Sequence, residues 1–312
     1  TGADAEAQGL GTLNCHVPPM AFGGPPSPTP AHPILARDRV RCVGDPVAFV
    51  VAETLAQAQD AAEMIEVNYE ALPAVGSTRA AVKDGAPQVW DDNPGNLWFE
   101  MDRGDADATD AAFARAAHVV KADLHHNRIS ANTMEPRAAL GEYDPFEERY
   151  TLHSGNQFPH DLRNWIAEFV LGCGQSQLRI ISPDMGGSFG LRSNVFPELV
   201  LVLFAARELG RPVKWIGQRS EDFMEDHARD IVMDAELALD ANNRFVGLRV
   251  NGVANMGAYL SIFGPLPAFG NLSGVAGPYT TPAIHAEILS VFTNSAPVHP
   301  YRGAGRPEAT LL

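Results

Sequence analysis

Between Leu162 and Val170 the apolar side chains fall at 162, 165, 166, 169 and 170, the spacing of one face of an α-helix. This predicts a helix over "HDLRNWIAEFVLG", 160–172, closed by Gly172 as a C-cap. A nearly unbroken apolar run, "FPELVLVLFAARELG" (196–210), predicts a second helix, with Pro197 tolerated in its first turn and Gly210 at its end. The period drops to two at "DIVMDAELALD" and "RFVGLRVNGVANMGAY", which read as strands of a hairpin around "DANN". "RYTLHS", "QLRIISPD" and "AEILSVFT" read as further strands. Nearer the start, "CVGDPVAFVVAET" predicts a strand and "TLAQAQDAAEMI" a helix. There Thr54 and Gln57 form a capping box, and Ala58, Ala61, Ala62 and Ile65 recur at helical spacing. "EVNYEALPAV" returns as a strand, so that 36–75 is a strand, helix, strand unit. Residues 1–35, with "FGGPPSPTPAHP", predict an ordered or semi-ordered loop, and the polar, Pro/Gly-bearing stretch 76–96 predicts a linker to a larger domain from 97 onward. The fold class is α+β, without internal repeats.

Composition narrows the partners. The chain of 312 residues is 45% hydrophobic and 20% charged, enough for a sizeable core and more than one domain. Its formal charge of -15 repels polyphosphate backbones and acidic membrane surfaces, which argues against nucleic acid. No apolar run reaches the roughly 18 residues that span a bilayer, and no charged-then-apolar leader opens the chain, so a cytoplasmic protein is expected. Thr1 at one end and "PEATLL" at the other give the expectation of a piece cut from a longer polypeptide. Cys15, Cys42 and Cys173 are too widely spaced for a disulfide framework or a CxxC site, and are expected reduced and mostly buried.

Three bare or polar turns could carry chemistry. "MGGSFGLRSN" (185–194) lies between a strand and the apolar helix, where glycines let backbone N–H groups approach a ligand. It reads equally as a tight turn that packs helix on sheet. "HPYRGAGRPE" follows a strand and sets Gly303 and Gly305 between Arg302 and Arg306, planar donors suited to oxyanions or to solvent. Gln157, in "HSGNQFPH", reads as a loop or cap residue unless a ligand lies near it. Phosphate-loop patterns fail at both glycine turns, since GxxxxGK[ST] is absent and Glu308 stands where GxGxxG needs its last glycine. HExxH, GxSxG and EF-hand patterns are absent too. His125 and His126, being adjacent, would point to opposite faces of a strand. Glu135 and Arg137, two apart in "MEPRA", are expected to form a structural ion pair.

Five segments in this order resemble one family. They are "ILARDRVRCVGDPVAFVVAETLAQAQDAAEMIEVNYEALPAV", "MEPRAALGEYD", "GNQFPHDLRNWIAEFVLG", "LRIISPDMGGSFG" and "PYRGAGRPE". The family is the molybdenum-binding large subunit of xanthine dehydrogenases, aldehyde oxidases and carbon monoxide dehydrogenases, and the resemblance runs from Pro33 to the end. It implies an a/b-hammerhead domain, entered partway through, over 1–75. The linker 76–96 and the first part of a molybdopterin-binding domain, 97–312, with mixed sheets and packed helices, would follow. The implied cofactor is molybdopterin cytosine dinucleotide with molybdenum held by the pterin dithiolene, so that no side chain ligates the metal. The implied reaction is hydroxylation of an electron-poor carbon with water as oxygen source. Electrons would leave through [2Fe-2S] clusters and FAD on an iron-sulfur small subunit and a FAD-binding medium subunit, in a dimer of heterotrimers.

By position, the resemblance places Gln157 near the metal's oxo ligand and Gly186, Gly187, Ser188, Phe189 and Gly190 around the metal's apical side. Arg302, Gly303, Ala304, Gly305 and Arg306 would form a loop on the substrate side, with Ser193 and Arg229 also facing substrate. Gln157, Phe189 and Arg302 are the implied catalytic group. Two departures bear on substrate. Copper-dependent carbon monoxide dehydrogenases have a cysteine where this chain has Gly303, and purine-oxidising members have a glutamate where it has Ser193. An aldehyde or an N-heteroaromatic substrate is therefore expected. The family's general-base glutamate would lie beyond Leu312. The competing expectations are a non-catalytic fragment or assembly scaffold, a carbon monoxide dehydrogenase-like chain without the copper cysteine, and an unrelated nucleotide-binding α/β protein, which the failed phosphate loops disfavour.

Overall fold

The computed structural model describes residues 1–17, 27 and 29–312, so half of "FGGPPSPTPAHP" lies outside the described residues. The chain forms two compact units, each built from separated stretches: Thr1–Asn14, Ala31–Pro73 and Ala131–Asp226, and Cys15–Pro30, Ala74–Ser130 and His227–Leu312.

In the first unit a four-stranded sheet runs in the order Leu178–Ile181, Arg149–His153, Ala138–Asp144, Val213–Ile216. The first two strands are parallel and the other pairs antiparallel. Helix Pro197–Leu209 packs on this sheet and buries Leu199 through Leu203 in unbroken succession, as its nearly all-apolar sequence requires. It ends at Gly210 in the left-handed region (φ 59°). Gly141 sets how near the helix can come, because a Cβ there would stand 2.5 Å from the carbonyl oxygen of Val202.

The amphipathic helix forms as Pro159–Trp165 and then widens into a π-helical stretch, Ile166–Leu171, ending at left-handed Gly172. Leu162, Ile166 and Val170 are buried as the spacing predicts, but Phe169 is exposed and Ala167 takes the inner place. The wider π turn rotates the face away from the 3.6-residue period. Thr54 caps helix Leu55–Glu63, and its backbone N–H bonds Gln57 Oε1 at 3.1 Å, completing the predicted box. The strands expected at 42–54 and 66–75 do not form. A strand exists by pairing successive N–H and C=O groups with a neighbour, and among the described residues these stretches form no ladder; Pro46 O accepts the Ala36 N–H at 2.7 Å and Val75 O the Asn294 N–H at 2.7 Å, as isolated bonds. Val43, Val67, Tyr69 and Leu72 are exposed along them. The opening loop also departs from expectation: Gly2–Ala7 is a helix capped by Thr1 and Asp4, and Thr12–Leu13 pairs antiparallel with His32–Pro33.

The second unit holds a five-stranded sheet in the order Leu97–Gly104, Ile284–Phe292, Phe245–Gly257, Ile231–Leu239, His118–His126. Only its Phe245–Gly257/Ile284–Phe292 pair is parallel. The predicted hairpin is present; Asp240 Oδ1 accepts the Asn242 N–H at 2.8 Å, and Asn243 takes φ 61°. Helix Ala106–Ala114, capped by Asp105, lies against strand Phe245–Gly257 where Gly247 leaves room for Ala112. The stretch 76–96 is packed rather than a loose tether. Ala81 and Val89 are buried, and the buried side chain of Asn96 bonds Val89 N at 2.9 Å, Ala81 O at 3.2 Å and Pro87 O at 3.0 Å. One internal asparagine thus does the bracing that a polar composition concealed. Short strands Ile129–Ser130, His227–Ala228 and Val298–His299 pair ahead of the second glycine loop. The three cysteines are free and half-buried rather than mostly buried. Burial pushes the Cys15 thiol up to about 11, which leaves it protonated and inert.

Candidate functional site

The first loop, 185–194, leaves strand Leu178–Ile181 and ends where helix Pro197–Leu209 begins. Gly187, Phe189 and Gly190 have φ of 115°, 56° and 109°, so the loop turns in a conformation that side chains resist. Gly186 is fixed by a close approach: a Cβ there would lie 2.5 Å from Glu135 Cβ. Glu135 holds the loop from both sides, its carboxylate accepting the Gly186 N–H and its own N–H donating to Gly186 O at 3.3 Å.

Gln157 closes the loop. Its N–H donates to Arg192 O at 3.0 Å, while its side-chain Oε1 accepts from Ser188 Oγ at 2.5 Å and from the Gly190 N–H at 3.2 Å. Ser188 is buried and Gln157 exposed, so the glutamine amide sits at the surface of a bonded loop. Phe189 is 47% exposed beside it. Ser193 is buried, and its hydroxyl is committed to Gly190 O at 2.5 Å. That places it inside the loop as a brace, with its proton already committed.

Two buried arginines support this framework, and sequence spacing marked neither role. Arg192, 4% exposed, donates to the Glu135 carbonyl and, at 3.1 Å, to Pro136 O, and stands 3.3 Å from the Glu135 carboxylate. Arg137 does not pair with Glu135 as expected. It reaches Glu198 at 2.7 Å, Asp226 at 2.5 Å and Glu225, with Asp222 at 3.8 Å, and lies 4.0 Å over the Phe196 ring. Proline between residues 135 and 137 does not decide the pairing; the two side chains simply find partners far away in sequence. Burial works against the Arg137 charge, and the carboxylates more than offset it, so its pKa is raised. Burial pushes Glu225 up to about 8 and Asp226 up to about 6, with Arg137 opposing the rise in both.

The second unit carries the other loop. Gly303, Ala304 and Gly305 all have positive φ, at 100°, 46° and 92°. Gly305 lies so close to helix Leu266–Leu272 that a Cβ would meet Pro267 O at 1.9 Å, and Gly270 of that helix faces Ala304 O equally tightly. Arg306 turns back, its Nη1 donating to Gly303 O at 3.1 Å. Arg302 is exposed, and its guanidinium makes no ion pair among the described residues. Arg229, expected to face substrate, instead holds this loop. It pairs with buried Glu308 at 2.7 Å, donates to Arg302 O at 3.1 Å and lies 5.3 Å over the Tyr301 ring. Arg229 and Asp230 both have φ 67°, so a strained dipeptide aims that guanidinium. Burial lowers the pKa of nearby His126, whose Nε2 is buried without a hydrogen bond.

Among the described residues no three His, Cys, Asp or Glu side chains converge as ligands of a metal ion. The loop 185–194 by itself offers a metal complex bare backbone and the exposed Gln157 amide rather than a set of protein ligands. A molybdenum ion held by dithiolene sulfurs fits that donor set.

Comparison with known proteins gives the class. Residues 89–312 match the model of the molybdopterin cofactor-binding domain, and residues 15–73 that of the aldehyde oxidase and xanthine dehydrogenase a/b hammerhead domain. The chain belongs to this family of molybdopterin-binding large subunits. It is 38% identical, over 90% of its length, to the 6-hydroxypseudooxynicotine dehydrogenase complex subunit gamma of Paenarthrobacter nicotinovorans, covering 35% of that protein. It is 34% identical, over 85% of its length, to the carbon monoxide dehydrogenase large chain of Hydrogenophaga pseudoflava, covering 34% of it. Its structure resembles quinoline 2-oxidoreductase from Pseudomonas putida 86, with TM-score 0.83, 32% identity, and coverage of 98% of this chain and 40% of that one. The chain thus spans about a third of the length of the curated relatives it matches. Among the described residues no helix is long and apolar enough to cross a membrane.

Proposed function

We propose that the chain is the cofactor-binding part of a molybdenum hydroxylase acting on an N-heteroaromatic or aldehyde substrate, with the N-heteroaromatic class favoured. The observation that carries this reading is the loop 186–190, locked by Glu135 and Gln157 into a conformation that exposes one amide and bare backbone. Relatives named nicotine 6-hydroxylase large subunit and quinoline 2-oxidoreductase favour the heteroaromatic class. When bound, the molybdenum cofactor supplies oxygen transfer from water and takes up two electrons.

The residues of this chain supply placement. Gln157 donates from its amide toward an oxygen acceptor, and Gly186 to Gly190 bring backbone and the Phe189 ring against the cofactor. The loop 302–306 presents Arg302 toward substrate or pterin oxygen atoms. Arg229 sets the position of Arg302 rather than touching substrate. The same reading takes the cofactor as the cytosine dinucleotide form. It assigns [2Fe-2S] clusters and FAD to partner subunits in a dimer of heterotrimers in the cytoplasm. It also assigns the general-base glutamate to a position outside 1–312, so that these residues alone are not expected to turn over. A carbon monoxide dehydrogenase reading is second. It rests on the similarity to such large chains and is weakened by Gly303, which offers copper no thiolate.

The test is turnover of the intact enzyme with a pyridine- or quinoline-type compound in H2(18)O. The hydroxylated product is expected to carry the label. Product oxygen drawn from O2, or turnover of carbon monoxide in preference to both substrate classes, would contradict the proposal.

A further inference from the structure

We infer that Ser188 is a positioning residue that fixes which end of the Gln157 amide faces outward, and so restricts that site to ligands offering an oxygen acceptor. The inference rests on the reading that Gln157 serves the cofactor. The hydrogen-bond directions leave little freedom. A backbone N–H can only donate, so the group 3.2 Å from Gly190 N must be Gln157 Oε1 and not Nε2. The Arg192 N–H can likewise only donate, and it reaches Ser188 Oγ at 3.2 Å. The serine oxygen therefore accepts from Arg192 and sends its own proton to Gln157 Oε1, at 2.5 Å.

The result is a one-way relay, Arg192 N–H to Ser188 O–H to Gln157 C=O, with a second donor from Gly190 on the same oxygen. Both donors polarise the amide in the same sense. Gln157 Nε2 makes no hydrogen bond among the described residues, and its side chain is exposed. Two N–H groups of a polarised amide are what the loop presents. An oxo or carbonyl oxygen fits there; an ammonium or an N–H-bearing ring edge does not. An unbraced glutamine would flip to serve either kind. Burial of Ser188 keeps water from replacing the hydroxyl.

The intact enzyme with its partner subunits carries the test, through Ser188→Ala, Ser188→Thr, Gln157→Glu and Gln157→Ala, each measured for molybdenum per chain, kcat and KM. With Ser188→Ala, metal content is expected to stay at the wild-type level while kcat falls about tenfold, with KM within about twofold, the size of losing one orienting hydrogen bond. Ser188→Thr, which keeps the hydroxyl, is expected to recover most of that loss. Gln157→Glu keeps an acceptor for both internal donors but has nothing to donate outward, so kcat should fall without loss of metal. A crystal structure of the Ser188→Ala enzyme should show the Gln157 amide in a changed rotamer. Wild-type kcat in Ser188→Ala, beside a clear loss in Gln157→Ala, overturns the positioning role and leaves the cofactor reading intact. Wild-type kcat in Gln157→Ala overturns that reading itself. A fall in metal content that matches the fall in kcat makes Ser188 merely structural and also overturns the inference.

Discussion

Gly305 and Gly172 have similar left-handed backbones, φ 92° and 61°, yet a methyl group would meet very different surroundings. At Gly172 nothing lies within 4 Å, whereas at Gly305 the carbonyl of Pro267 is in the way. Gly172→Ala is expected to cost about 1 kcal/mol of stability, the strain of the left-handed backbone alone. Gly305→Ala should cost roughly 3 kcal/mol, because steric displacement of the helix adds to that strain. Chemical denaturation of the two variants checks the order, and equal costs would contradict the interlocked geometry. The glycine turns were visible in sequence because bare turns between regular elements are conspicuous, whereas Gln157 read as a loop or cap residue and took its role only from the family resemblance. The Glu135–Arg137 pairing was misread, Arg192 drew no reading at all and the contacts by which Arg229 holds its loop were not foreseen, since what Arg192, Glu135 and Arg229 touch depends on partners 57, 51 and 79 residues away that no local spacing encodes. Ser193 looked available because a hydroxyl in a loop carries no sign that its proton is already committed.

Helices read well wherever one end of the chain segment and one face declared themselves. Pro197, Gly210 and the Thr54–Gln57 box set helix boundaries by local chemistry that distant packing does not alter. The π-helical turn at Ile166–Leu171 escaped, because an extra residue per turn changes the buried face without changing composition. Strands fared according to whether their partners lie among the described residues. The hairpin at 231–257 was legible, while 42–54 and 66–75 have strand-like sequences and no ladder.

The cluster around Arg137 gives a prediction at this scale. Glu225 and Asp226 have folded-state pKa values raised above their ordinary 4.5 and 3.8, so the folded state holds more protons than the unfolded one between those limits and about 8 and 6. Their contribution to stability is complete below about pH 4 and is lost as pH rises through 6 and then 8. The melting temperature should therefore fall as pH rises from about 4 to about 8, with the part above pH 6 due to Glu225, and Glu225→Gln should flatten that upper part of the slope. A wild-type slope as shallow as that of the variant would show that the cluster does not bind the extra proton.

At the scale of the molecule, charge, chain length and two sheet-based units describe a large, acidic, mixed α+β protein, and many unrelated proteins fit that description. What singles out this one is the order of five local segments, three of which the fold gathers: "MEPRAALGEYD", "GNQFPHDLRNWIAEFVLG" and "LRIISPDMGGSFG" meet through Glu135, Gln157 and Gly186. The sequence order was legible. The stitching between segments had to be seen in three dimensions, because it runs through backbone groups that every residue possesses. The central claim is that this framework exists to hold a molybdenum complex that carries its own sulfur ligands. Elemental analysis and pterin fluorescence of the gently isolated, intact enzyme test it most directly. Close to one molybdenum and one pterin per chain is the predicted result, and a correctly folded, fully assembled enzyme that contains neither would contradict it.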